Sequence, residues 1–61
     1  MIVYWDKNNA CDYDYVGGDS EYVIFEDYAK NNLRISKKTL EVDIQIDDKW
    51  VPINQKVYKY E

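Results

Sequence analysis

Asp12, Asp14, Asp19 and Glu21 are the side chains of this 61-residue chain whose type and spacing could do chemistry. In the run Asp12-Tyr13-Asp14-Tyr15 carboxylates alternate with tyrosines. Alternation of that kind in a strand sends charge to one face and rings to the other. Closely set carboxylates have three uses: ligating a hard cation, sharing acid and base roles in glycoside cleavage, or receiving a cationic surface. The first fails on spacing. Asp12-x-Asp14-x-Val16-Gly17 opens like a calcium loop, but Val16 and Val23 stand where the fifth and twelfth positions need oxygen ligands. The second use needs a groove and two pKa values driven apart by burial, which a chain this short rarely provides. No histidine is present to act as general base or to activate Cys11. Gly17-Gly18 is too short to cradle phosphate, and Asp19 follows it. The expectation is therefore no catalytic residue, no metal and no cofactor. Recognition of a cationic partner is the use that remains.

Charge is distributed unevenly enough to support that use. Asp6, Asp12, Asp14, Asp19, Glu21, Glu26 and Asp27 share the first 27 residues with a single basic side chain, Lys7. Beyond them Lys30, Arg34, Lys37, Lys38, Lys49, Lys56 and Lys59 interleave with Glu41, Asp43, Asp47, Asp48 and Glu61, a mixed surface rather than a nucleic-acid stripe. The formal charge of −4 opposes nonspecific binding to nucleic acid and docking on an anionic membrane. Apolar residues at 46% are enough for a core and argue against disorder. Residues 1–61 are expected to form one small domain, burying roughly 60% of the surface its unfolded chain exposes. Cys11 is the only cysteine, so no intrachain disulfide can staple the fold. That favours a reducing, cytoplasmic setting. Met1-Ile2-Val3-Tyr4-Trp5-Asp6 lacks the basic start and apolar stretch of a signal peptide. No apolar run approaches the roughly 20 residues of a membrane-spanning helix.

The elements that must position these groups are mostly strands. Leu40, Val42, Ile44 and Ile46 alternate with Glu41, Asp43, Gln45 and Asp47, the pattern of a half-buried strand. A return arm pairing Ile46 with Val51 and Ile44 with Ile53, through a four-residue loop at Asp47–Trp50, puts every aliphatic residue on one face. Pro52 makes that arm an edge strand or a broken one. Trp50 falls on the face opposite the aliphatic core, where it either anchors an interface or covers the core edge. Gly17-Gly18 predicts a tight turn that places Asp14 opposite Glu21 and Tyr13 opposite Tyr22. Tyr13, Tyr15, Tyr22, Cys11 and Ile24 then share one face, while Asp12, Asp14, Asp19 and Glu21 share the other with Val23 and Phe25. Residues 26–32 have partly helical spacing, but Val23, Ile24 and the density of tyrosine favour a hairpin through Lys30-Asn31-Asn32. Ile2–Trp5 and Val57–Tyr60 read as first and last strands, with a turn at Asn8-Asn9. The expected fold is mainly β: a small antiparallel meander or partial barrel, with at most one short helix near residues 26–32. Its expected core is Tyr13, Tyr22, Ile24, Leu40, Val42, Ile44, Ile46, Val51 and Ile53.

The functional expectation is a non-enzymatic binding protein that occupies a basic surface of another protein, without contacting nucleic acid or membrane. Asp12, Asp14, Asp19, Glu21, Glu26 and Asp27 would stand in for phosphates, with Tyr15 or Trp50 as apolar anchor. In size and charge alone, the chain resembles small acidic phage-encoded inhibitors that mimic DNA and block host defence enzymes. The alternative is a structural module that forms a homodimer, or joins a larger complex, through an exposed strand edge at Val57–Tyr60 or the Pro52 arm. A third reading uses the tyrosines as stacking platforms for single-stranded nucleic acid.

Overall fold

Eight strands and no helix make up the structure, a computed structural model that describes residues 1–61. They are β1 (Ile2–Asp6), β2 (Asn9–Asp12), β3 (Asp14–Gly18), β4 (Tyr22–Glu26), β5 (Asn32–Ser36), β6 (Glu41–Ile46), β7 (Lys49–Lys56) and β8 (Lys59–Tyr60). All pairings are antiparallel, in a three-stranded sheet ordered β2-β1-β8 and a five-stranded sheet ordered β3-β4-β5-β6-β7. The sheets are joined at two corners. β2 runs into β3 through Tyr13, whose N–H donates to the Met1 carbonyl at 2.9 Å. β7 runs into β8 through Val57 and Tyr58. The Val57 N–H donates to Leu40 at 3.0 Å, in the large sheet's loops, and the Tyr58 N–H to Tyr4 at 2.7 Å, in the small sheet. Strands that switch sheets at corners let two sheets enclose one core. Bonded neighbours thus trace a ring from β1 through β2/β3, β4, β5, β6 and β7/β8 back to β1. This is the expected mainly β meander, curled toward a barrel.

The core is Val3, Val23, Phe25, Leu33, Ile35, Val42 and Val57, with Trp5, Tyr13, Leu40, Ile44, Ile53 and Tyr60 packed against it. Phe25 is fully buried and takes the edges of Tyr15 and Tyr60 at 6.2 and 6.0 Å between centroids. Two expectations about this core are corrected. Tyr22 and Ile24 are not core residues; Val23 and Phe25 take the inner face of β4 instead. Ile46 and Val51 keep the same face as Val42 and Ile44 but, near the β6–β7 turn, are 48% and 38% exposed.

The cause of the first correction is register. Gly17 and Gly18 are not the turn. They end β3, with Gly17 opposite Ile24 and Gly18 opposite Val23, after an irregularity between Tyr15 and Gly17. The reversal falls on residues 19–21, where Asp19 Oδ1 accepts from the N–H groups of Glu21 and Tyr22 at 2.8 and 2.9 Å. Gly18 holds φ 157°, and a Cβ there would lie 2.4 Å from the Tyr22 carbonyl oxygen, so only glycine fits the tight crossing. Asp14 therefore faces Glu26, not Glu21, and Tyr15 faces Phe25.

No helix forms at residues 26–32. Asp27 Oδ1 accepts from the N–H groups of Ala29 and Asn31, both at 2.9 Å, closing a hairpin loop between β4 and β5. A side chain that bonds nearby backbone in this way competes with the helical ladder. The β6–β7 turn is also tighter than expected. Ile46 pairs with Lys49 and Ile44 with Val51, leaving a two-residue turn at Asp47 and Asp48. Their φ values of 50° and 65° have the signs of a type I′ turn. The register moves by two, so the aliphatic residues keep their face.

Candidate functional site

Cross-strand pairing determines which side chains share the outer face of the five-stranded sheet. One row runs Asp14, Glu26, Asn32, Gln45, Trp50, the middle joint being a 2.9 Å hydrogen bond from Asn32 Nδ2 to Gln45 Oε1. The next row runs Gly17, Ile24, Arg34, Asp43, Pro52. Tyr22 and Ser36 begin a third.

At the centre of this face Arg34 lies between two rings. Its guanidinium carbon is 4.0 Å from the Tyr22 ring centroid and 4.9 Å from that of Trp50, and its Nε donates to Asp43 Oδ2 at 2.7 Å. Both distances fall inside the range of cation–π attraction. The side chains of Arg34 and Asp43 are 24% and 18% exposed, so water screens the pair less than at an open surface. Arg34 is thus neutralised in place, and its stem and rings form a rigid, partly apolar surface. To one side stand Asp14 and Glu26, like charges on facing residues, a juxtaposition that destabilises a strand pair. Only Glu26 has a cation, Lys30 at 3.3 Å. Asn32 Oδ1, beside Glu26 in the row, is buried without a hydrogen-bond partner.

The expected site residues divide sharply. Asp14, Glu26 and Trp50 come together on this face. Asp12 lies in the small sheet opposite Ile2, 3.3 Å from the N-terminal ammonium. Asp19 caps the 19–21 loop; hydrogen bonds from the Glu21 and then the Tyr22 N–H hold its carboxyl below the usual aspartate range. Asp27 is spent on its own loop. Glu21 is exposed on the 19–21 loop, and Tyr15 is 56% exposed at the rim of the core face, against Phe25. The four carboxylates expected to cluster at one hairpin tip are therefore dispersed. Sequence reasoning missed Tyr22, Arg34 and Asp43. Arg34 is the single arginine, at an alternating position between Leu33 and Ile35, and that placement is the signal that marks it as outward-facing.

The remaining chemistry-bearing corner is at Tyr13. Trp5 Nε1 donates to its hydroxyl at 3.3 Å, and burial, with a hydrogen bond involving Cys11, pushes its pKa up. That makes the phenol a poorer base-forming group, and it faces the core. No helix is long and apolar enough to cross a membrane. Comparison with protein-family models, curated proteins and solved structures finds no match for this chain.

Proposed function

We propose that this protein is a non-enzymatic binding module that docks the outer face of its five-stranded sheet on a basic surface of another protein. One observation carries the reading: Tyr22 and Trp50 are kept out of a small core and held on Arg34, beside the facing carboxylates Asp14 and Glu26. Trp, Tyr and Arg are the side chains that most often dominate interface energetics. A partner cation set between Asp14 and Glu26 converts their repulsion into attraction, so binding relieves a cost that the free protein bears. The finer form of the proposal is charge mimicry. The carboxylates take the place of nucleic-acid phosphates, and the partner is an enzyme whose nucleic-acid surface is thereby blocked. The cytoplasm is the setting we assign, since a domain this short without a cysteine pair suits a reducing compartment.

Assembly through a strand edge is the weaker reading. β7 is the longest edge strand, but Pro52 pairs with Asp43 one step beyond the bonded pair Ile44–Val51. At that position the backbone points away from β6, so proline costs the ladder nothing and removes a donor from the free rim. β8 offers two residues only.

The test is a titration of the protein with an arginine-rich peptide, followed by amide and indole NMR shifts. Shifts are expected at Trp50, Gln45, Ile24 and Glu26, with affinity falling steeply as salt rises. Trp50→Ala should weaken binding about 30-fold or more, as loss of an interface anchor does. Affinity indifferent both to salt and to Asp14→Asn/Glu26→Gln removes the proposal.

A further inference from the structure

The molecule has one cleft, of about 300 Å³, between the 19–21 loop and the turn that follows β5. We propose that it is a binding site for a small oxyanion, a phosphate monoester being the ligand class. This goes beyond the docking reading and does not rest on it. The warrant is a hydrogen-bond inventory. Ser36 Oγ accepts from the N–H groups of Lys38 and Thr39 at 3.3 and 3.1 Å, and Thr39 Oγ1 accepts from the Glu41 N–H at 3.3 Å. A hydroxyl whose oxygen is already accepting presents its proton to whatever lies in front of it. Ser20 contributes a third hydroxyl to the lining, and Lys38 an ammonium engaged in no ion pair. Lys37 donates to the Asp19 carbonyl oxygen, tying the 19–21 loop to the turn, and keeps further N–H groups for a ligand.

The lining is thus rich in donors, and donors select a ligand made of acceptors. Tyr22, the one apolar residue in the lining, supplies an apolar wall, and the Arg34 guanidinium, paired with Asp43, lies over its ring at 4.0 Å. That wall suits the organic part of a monoester, and the small volume excludes anything larger than a small group. Glu21 is the one carboxylate in the lining. Its repulsion sets the affinity low and gives the proposal a test of sign.

The experiment titrates the protein with inorganic phosphate and with phenyl phosphate, at constant ionic strength, following amide shifts. Saturating shifts confined to Ser20, Tyr22 and residues 36–39 are expected, with phenyl phosphate the tighter of the two. Lys38→Gln should weaken binding about five-fold, the scale of one exposed charged contact. Glu21→Gln should tighten it, and Asp14→Asn/Glu26→Gln should leave it unchanged. That last variant separates this site from the docking face. Non-saturating shifts spread over Lys7, Lys49 and Lys56 would mean an adventitious ion only and overturn the proposal, as would a Glu21→Gln variant that binds no better.

Discussion

The two outer hairpins of the large sheet, β3–β4 and β6–β7, differ in how firmly their sequences specify a face. In β6 the aliphatic residues alternate without exception, so any pairing that buries them must move in even steps. The turn tightened by two residues and no side chain changed sides. In β4 the run Tyr22-Val23-Ile24-Phe25 is apolar at every position, and either face could be buried. There the glycine pair is accommodated within β3, the step is odd at Asp14 and Tyr15, and Val23 and Phe25 go inward. Alternation, not hydrophobicity, is what fixes a strand's orientation.

The largest effect that probes this contrast compares two neighbours in β4. Phe25→Ala should cost about 3–5 kcal/mol, enough to unfold most of a domain this small, while Ile24→Ala on the outer face should cost well under half as much. Urea unfolding of both variants measures the difference, and equal losses would mean that the face assignment of β4 is wrong. Next in size is a paired exchange, at the end of β3 and in the β6–β7 turn. Gly18→Ala forces a Cβ against the Tyr22 carbonyl and should destabilise by about 1–3 kcal/mol, whereas Asp48→Gly relieves a left-handed residue and should stabilise by up to about 1 kcal/mol. Thermal melts of the pair should shift in opposite directions.

The smallest effect is the pH response of the β3–β4 loop. The folded carboxyl of Asp19 titrates below its unfolded value, so its contribution is complete above about pH 4 and is lost as pH falls through the lowered value. The stability gap between the protein and Asp19→Asn should therefore narrow on acidification. A gap that is constant from neutral pH to pH 2 would show that the cap does not hold the loop.

The same distinction explains how much was legible beforehand. Strict alternation leaves no choice for the strand expected at Leu40–Asp47, and β6 lies within a residue of it at each end. The same alternation puts Trp50 on the outer face, where its partner is Gln45 rather than Asp47. The expected pairing of Asp14 with Glu21 is wrong, because the register set by β3 and β4 brings Glu26 opposite Asp14 instead. What the chain did not disclose was long-range. Tyr22 joins Arg34 and Trp50 only because β4, β5, β6 and β7 pair in sequence, and no local pattern in Tyr22-Val23-Ile24-Phe25 distinguishes that outcome from burial of the phenol. Val3 and Val57 likewise became core residues only because the ladder closes on itself.

That closure governs when the molecule can become native. Val3 pairs with Cys11 on one side and Tyr60 on the other, and the Ile2 and Glu61 backbones bond each other at 2.7 and 2.9 Å. Val3, the one valine of the first strand, cannot be enclosed until residues 57–60 reach it. Until then the inner surface of the large sheet is uncovered. Completion of the fold is consequently paced by the meeting of residues nearly sixty positions apart.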